Sequence, residues 1–197
     1  MCGRYALNTT AAGLIEHFQL LACPDFGPRY NIAPTSQIPV IRFKPDAGRV
    51  GQLVRWGLIP SRAEEPTSKL NNARGETVAG KKQPYYIHPT DADFFAFAGL
   101  LAAWKAPYGQ TIVSTCIITT GPNEVMAPIH DRMPVILAPD QYDAWLDPGN
   151  QDIEALKAVL RPCSAEVISA YPVSPVINSG KVEGLACIKP IGTEDAP

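Results

Sequence analysis

The sequence predicts an α+β fold in one domain, with a curved, largely antiparallel and barrel-like β-sheet and a few short helices. Segments rich in β-branched and aromatic residues outnumber helical segments, and they do not alternate with helices as βαβ units do. The 20 prolines and 15 glycines are scattered along the chain, which favours many short strands joined by tight connections. With 197 residues, 46% of them hydrophobic, the chain can bury a substantial core.

The predicted elements follow in chain order. Residues 9–21 predict a helix with Asn8 or Thr9 as its N-cap. Its apolar face comprises Leu14, Ile15, Phe18 and Leu21. Prolines and polar residues delimit two later helices. They are residues 140–146 and 151–160. The predicted strands are residues 37–43, 50–58, 84–87, 94–101, 111–120 and 166–171.

The cysteine pattern argues against a metal site and against a disulfide framework. There are five cysteines, an odd number, with no C-x-x-C pair and no spaced cluster with histidine. The N-terminal residues lack the apolar stretch of a signal peptide, and no apolar run reaches the length of about 18 residues that a membrane span needs. We therefore expect a cytoplasmic protein without metal or cofactor, in a reducing compartment that keeps Cys2 as a thiol.

The charge balance excludes a protein that coats DNA by bulk electrostatics. The formal net charge is −2 at pH 7. The arginines are nevertheless concentrated in or beside the polar segments described below, and arginine suits bidentate contacts to phosphate. These residues are Arg4, Arg29, Arg55, Arg62, Arg74 and Arg132.

Cys2 gives the N-terminus an unusual chemistry. Methionine aminopeptidase removes Met1 when a small residue follows, so Cys2 becomes the first residue. Its α-amine (pKa roughly 7.7–8.0) and thiol (pKa roughly 8.5) then lie on adjacent carbons, and both are partly nucleophilic near neutral pH. The amine can condense with an aldehyde, and the thiolate can close onto the imine carbon to give a thiazolidine. An internal cysteine cannot form this ring.

Polar residues also occur in four short segments where turns are expected. The segments are residues 28–34, 55–60, 70–77 and 128–134. His130 is the best acid/base candidate, because it lies between prolines in a polar loop beside Asp131 and Arg132. His17 on the predicted helix and His88 near a strand end are interpreted as structural or surface residues, and Trp56 as a core residue.

Six motifs occur in an order that resembles the SRAP family, the SOS response-associated peptidases or abasic-site processing proteins. The resemblance continues through residues 171–174 to Asn178, so it covers nearly the whole chain. The motifs are Cys-Gly-Arg-Tyr at 2–5, Arg-Tyr-Asn-Ile-Ala-Pro at 29–34, Arg-Trp-Gly-Leu-Ile-Pro at 55–60, Asn-Ala-Arg-x-Glu-Thr at 72–77, Lys-Gln-Pro-Tyr-Tyr-Ile at 82–87 and Ile-His-Asp-Arg-Met-Pro at 129–134.

The resemblance implies that the protein binds single-stranded DNA at abasic sites and traps the sugar aldehyde as a thiazolidine crosslink through Cys2. It implies that Asn72 bonds near the sugar, and that His130 acts as acid and base for ring opening and for crosslink reversal. The DNA-binding residues implied are Arg4 and Arg74 at flanking phosphates, Arg132 beside them, and Asn31 and Pro34 at the pocket floor. A monomer is expected, associated with the nucleoid when bound to damaged DNA, without a membrane partner.

The chain departs from the family pattern at two places. A family segment with a catalytic glutamate is absent between Ala79 and Gly80, where Val78-Ala79 runs directly into Gly80-Lys81. Either the gene has lost this segment or the chain as written omits residues; loss of central strands would expose sheet edges, which favours omission. After Pro60, where family members often carry a base-stacking tryptophan, this chain has Ser61-Arg62.

Two other function classes stay open. One is a cysteine peptidase that uses Cys2 and His130, with removal of Met1 as its minimal activity. The other is a non-catalytic module that binds single-stranded DNA. The requirement for a free α-amine distinguishes these classes from the crosslinking function. Thiazolidine formation needs a free amine, whereas a thiol peptidase needs only the thiolate.

Overall fold

The computed structural model describes residues 3–66, 70–73 and 83–191, and for Asn72 and Ala73 it describes the backbone alone. Within these residues the α-helices are α1 (Ala11–Phe18), α2 (Tyr142–Leu146) and α3 (Ile153–Val159). The strands are β1 (Tyr5–Leu7), β2 (Arg29–Ile32), β3 (Gln37–Lys44), β4 (Gly48–Trp56), β5 (Asn72–Ala73), β6 (Tyr85–Pro89), β7 (Ala96–Phe97), β8 (Gly99–Lys105), β9 (Thr111–Thr120), β10 (Met133–Pro134), β11 (Ile136–Leu137) and β12 (Ile168–Pro172). None of the helices in the described ranges has the length and apolar character needed to cross a membrane.

Strand β9 is the centre of the main sheet. It pairs with β4, β5, β8 and β10, and β3 extends the sheet beyond β4. Three two-stranded pairs, β1–β2, β7–β11 and β6–β12, complete the strand layer. Among the described pairings six are antiparallel, and β9 runs parallel to β4 and β5. The sheet curls into a half-barrel. The predicted α+β fold with a curved, largely antiparallel sheet is therefore confirmed.

The buried side chains lie on both faces of this sheet. On one face Leu14 and Phe18 of α1 pack with Val135 and Tyr142. On the other face Trp56 is fully buried and is surrounded by apolar residues of β2, β3, β4 and β9. The interpretation of Trp56 as a core residue is thus confirmed. Its indole N–H donates to the carbonyl of Asn71 at 3.0 Å, so the core also fixes the approach to β5.

The predicted helix at residues 9–21 is shorter than expected. Thr10 is the N-cap residue, rather than Asn8 or Thr9, and its side chain makes no capping bond. Gln19 adopts a left-handed conformation with φ of 53°, which ends α1 at Phe18. The chain direction therefore changes before Leu21, which is 70% exposed, while Leu20 is buried in its place. The assignment of Leu21 to the apolar face was wrong.

The polar segment at residues 28–34 was predicted as a turn, and this prediction was wrong for its first half. Strand β2 occupies it because Ile32 is buried and pairs with Tyr5 of β1. The predicted strand at 94–101 is divided into β7 and β8 by the buried Ala98. The predicted β3–β4 hairpin is present, with register from Gln37–Arg55 to Lys44–Gly48.

Candidate functional site

A largely apolar cavity of about 800 Å³ brings the N-terminal segment together with the polar loop that precedes β10. Gly3 and Arg4 line it on one side, and His130 and Arg132 line it on another. Its size falls in the range of small-molecule sites. Gly3 follows Cys2 in the sequence, and Cys2 itself lies outside the described residues.

His130 is held by its own loop. Its backbone N–H donates to the carbonyl of Met126 at 2.8 Å. Its Nδ1 lies 2.6 Å from Asp131 Oδ1, and the Arg132 backbone N–H donates to the same Nδ1 at 3.0 Å. The carboxylate favours the protonated imidazolium, whereas the amide N–H favours a neutral ring with Nδ1 unprotonated. Both contacts engage Nδ1 and hold the imidazole in its loop.

Arg132 is attached to the central strand. Its Nη2 donates to the carbonyl and to the hydroxyl of Thr119 on β9. Its buried Nε finds no hydrogen-bond acceptor among the described residues, although the side chain lines the cavity.

Arg4 and Asn31, both predicted to meet DNA, contact each other. Arg4 Nη1 donates to Asn31 Oδ1 at 3.2 Å, and Arg4 Nη2 donates to the carbonyl of Asn178 at 3.4 Å. The Asn31 side chain is 6% exposed. Neither Asn31 nor Pro34 is among the described residues that line the cavity.

The remaining predicted residues are placed only in part. Asn72 lies on β5, where its backbone pairs with Ile117 of β9. Ile117 also pairs with Gly99 of β8, so β5 and β8 flank opposite edges of β9, and Ile117 lines the cavity. Cys2, Arg74 and the junction of Ala79 with Gly80 lie outside the described residues.

The family model for SOS response associated peptidases (SRAP) matches residues 1–81 and 78–180. The chain belongs to this family. It is 37% identical to the abasic site processing protein YoqW of Bacillus subtilis over 92% of this chain and 96% of that protein. It is 30% identical to the abasic site processing protein HMCES of Xenopus tropicalis over 84% of this chain and 67% of that protein. A solved structure from Bacteroides thetaiotaomicron has the same fold, with a TM-score of 0.78 at 20% identity over 96% of this chain and 100% of that one.

The structure describes four thiols, and none of them is exposed. Burial raises the pKa of Cys23, Cys116, Cys163 and Cys187 above the ordinary value. For Cys187, the Glu183 carboxylate adds to this rise and Arg4 opposes it. Each of these thiols is therefore a poorer nucleophile at neutral pH than an unperturbed cysteine. No group of three or more His, Cys, Asp or Glu side chains in the described ranges could hold a metal ion.

Sequence reasoning within the SRAP pattern missed the C-terminal loop, defined here as residues 178–184. Its backbone carbonyls accept hydrogen bonds from Arg4 and Asn31, which lie about 150 residues or more earlier in the chain. Carbonyl acceptors leave no residue-type signal, so only the resemblance at Asn178 pointed to this region.

Proposed function

We propose that this protein processes abasic sites by binding single-stranded DNA and trapping the aldehyde of the lesion on Cys2. The observation that carries the proposal is the cavity lined by both Gly3 and His130, because it joins the residue bonded to Cys2 with a proton carrier. The names of relatives such as YoqW and HMCES, abasic site processing proteins, support the same substrate.

The reaction balances without a redox partner. The C1′–O4′ bond of the closed sugar breaks as a proton leaves the C1′ hydroxyl and another reaches O4′, which gives the aldehyde. The Cys2 amine adds to C1′ and one water leaves, forming an imine. Sulfur then bonds to C1′ while the nitrogen takes the thiol proton, and the thiazolidine is complete. The net change is the loss of one water.

His130 is proposed to carry the protons of ring opening. In its imidazolium form, favoured by Asp131, it gives a proton to O4′, and in its neutral form it accepts one. Asn72 would bond the sugar near Cys2. Arg74, Arg132 and Arg4 would contact phosphates without reading sequence, and the position of Arg4 and Arg132 in the cavity lining supports such contacts. The protein would act as a monomer in the cytoplasm, at the nucleoid when damage is present.

We also propose that the chain lacks a segment of the family at the Ala79–Gly80 junction. The family model matches in two stretches that meet at residues 78–81, which supports this position. The alignment with YoqW extends over 215 positions, more than the 197 residues of the chain. If the gene has lost the segment, its glutamate is lost too and ring opening should be impaired; if the chain as written omits those residues, the glutamate assists His130.

The first experiment compares three forms of the purified protein on a single-stranded oligonucleotide with one abasic site. The protein that starts at Cys2 should give an adduct stable to heat and denaturant. Cys2→Ser should give none, because its amine can form only a reversible imine. Protein that retains Met1 should also give none, because its amine and thiol are no longer on adjacent carbons.

Cys23→Ser serves as the matched control, since it removes an internal thiol whose pKa is raised by burial. It should crosslink like the unaltered chain. A heat-stable adduct of undiminished yield from Cys2→Ser or from protein with Met1 would refute the proposed chemistry. Peptide cleavage that survives acylation of the amine would instead favour a cysteine peptidase.

A further inference from the structure

We infer that Asn31 and the C-terminal loop form a clamp that positions the N-terminal strand, and with it the nucleophile, against the lesion. This inference rests on the proposed function and adds positioning residues to the same site. Asn31 thereby changes from a DNA contact to a residue that acts through Arg4 and the loop.

The Asn31 side chain uses all of its hydrogen-bonding groups on named partners. Its Oδ1 accepts from Arg4 Nη1 at 3.2 Å. Its Nδ2 donates to the carbonyl of Ser179 at 2.9 Å and to that of Val182 at 2.7 Å. An amide can serve an arginine donor and two carbonyl acceptors at once, whereas a carboxylate has no proton to give to the carbonyls. The pattern explains why an asparagine is buried at this position.

One further hydrogen bond attaches the loop to β2. The Tyr30 backbone N–H on β2 donates to the Glu183 carboxylate. The loop also passes beside Arg4, since a Cβ added at Gly180 would lie at ordinary van der Waals distance, 3.7 Å, from both Arg4 Nη atoms. After the loop, the fully buried Cys187 anchors the chain in the interior. The clamp therefore joins β1, β2 and the loop into one unit.

The N-terminal strand needs this support because its own pairing is weak. Strand β1 has three residues, and among the described strands it pairs with β2 alone, with an irregular register between Tyr5 and Leu7. A two-stranded ribbon of this length is marginal in water. Cys2 lies one peptide from Gly3, so any displacement of Arg4 moves the amine and thiol relative to the cavity.

The test compares a reaction that needs positioning with one that does not. Asn31→Asp and Glu183→Ala remove clamp bonds, and each should slow crosslinking at saturating abasic single-stranded DNA by about tenfold to hundredfold, the scale set by a small misplacement of a reacting group. The rate of thiazolidine formation with free propionaldehyde, followed by mass of the N-terminal peptide, should stay at the unaltered value. Glu183→Gln should restore the DNA rate, because the amide oxygen can still accept the Tyr30 N–H.

Asn8→Asp is the matched control, since it adds the same charge near the same strands and keeps an acceptor for the Tyr30 hydroxyl. It should crosslink like the unaltered chain. The clamp would be overturned if the Asn31→Asp and Glu183→Ala variants both fold and crosslink at the unaltered rate. It would also be overturned if the propionaldehyde reaction slowed by the same factor as DNA crosslinking.

Hydrogen exchange separates this inference from the proposed function. If the unaltered protein forms no adduct with DNA, the proposed function fails. The exchange rates of the Arg4 and Tyr5 backbone amides then test whether the clamp exists. Faster exchange of these amides in Asn31→Asp than in Asn8→Asp supports the clamp. Equal exchange contradicts it.

Discussion

At the scale of single residues, the proposed chemistry depends on a contrast between Cys2 and the other thiols. Burial disfavours the thiolate in each of the four described cysteines. Cys2, once Met1 is removed, would carry an α-amine on the carbon adjacent to its thiol-bearing carbon, and an unperturbed thiol has a pKa of roughly 8.5. The proposal therefore assigns the reactivity of the chain to its N-terminus.

Thiol labelling tests this contrast. At about pH 7 a single equivalent of iodoacetamide should modify Cys2 before any other cysteine, because a raised pKa lowers the thiolate fraction of the buried thiols. As the pH rises toward the raised values, those thiols ionise and the preference for Cys2 should shrink. Peptide mapping measures the distribution. Modification of Cys23 or Cys163 before Cys2 at neutral pH would contradict this account.

Residue identity predicted some of the site and missed the rest for a physical reason. His130 was identifiable because imidazole chemistry belongs to the side chain and its polar neighbours are adjacent in sequence. Asn31 was assigned to the DNA site by the family resemblance, and its hydrogen bonds to the backbone carbonyls of Ser179 and Val182, far away in the chain, could not be predicted. A sequence motif marks the residue but not which long-range acceptors it meets.

At the scale of elements, β9 is the centre of the main sheet, and Gly99 of β8 packs closely against its backbone. A Cβ at Gly99 would lie 2.9 Å from the backbone carbonyl of Cys116, and a strand bonded on both edges has little room to shift. We expect Gly99→Ala to lower the free energy of unfolding by about 1–3 kcal/mol. Urea denaturation measures this loss, which should appear as a lower midpoint with an unchanged m-value.

Gly121→Ala provides the comparison for this prediction. No described atom lies within 4 Å of a Cβ built at Gly121, and its φ is outside the left-handed range. Its stability should stay within about 0.5 kcal/mol of the unaltered chain. Equal midpoints for the two variants would show that β8 and β9 are not packed as closely as the structure has them.

Long elements were predictable and short ones were not. Strands β3, β4 and β9 have eight to ten residues each, and their β-branched patterns identified them. Strands β1, β5, β10 and β11 have two or three residues, too few for a periodic signal. Their pairing depends on distant partners, as in the contact of Tyr5 with Ile32.

At the scale of the whole molecule, the ordered motifs predicted the family and the strand-rich segments predicted the fold, and both hold for the chain. They could not predict the cavity, because its walls combine residues from the N-terminal segment, the central sheet and the loop of His130. Net charge of −2 fits the same account, since binding would depend on a few placed arginines rather than on a basic surface.

The identity of the bond between protein and DNA tests the central claim most directly. After crosslinking to abasic single-stranded DNA and nuclease digestion, mass spectrometry of the N-terminal peptide is run with and without cyanoborohydride. The account predicts a peptide that begins at Cys2, carries the sugar remnant less one water, and is unchanged by the reductant because the thiazolidine has no imine left to reduce. A remnant on any other residue, or an adduct that gains two hydrogens as an open imine does, would contradict it.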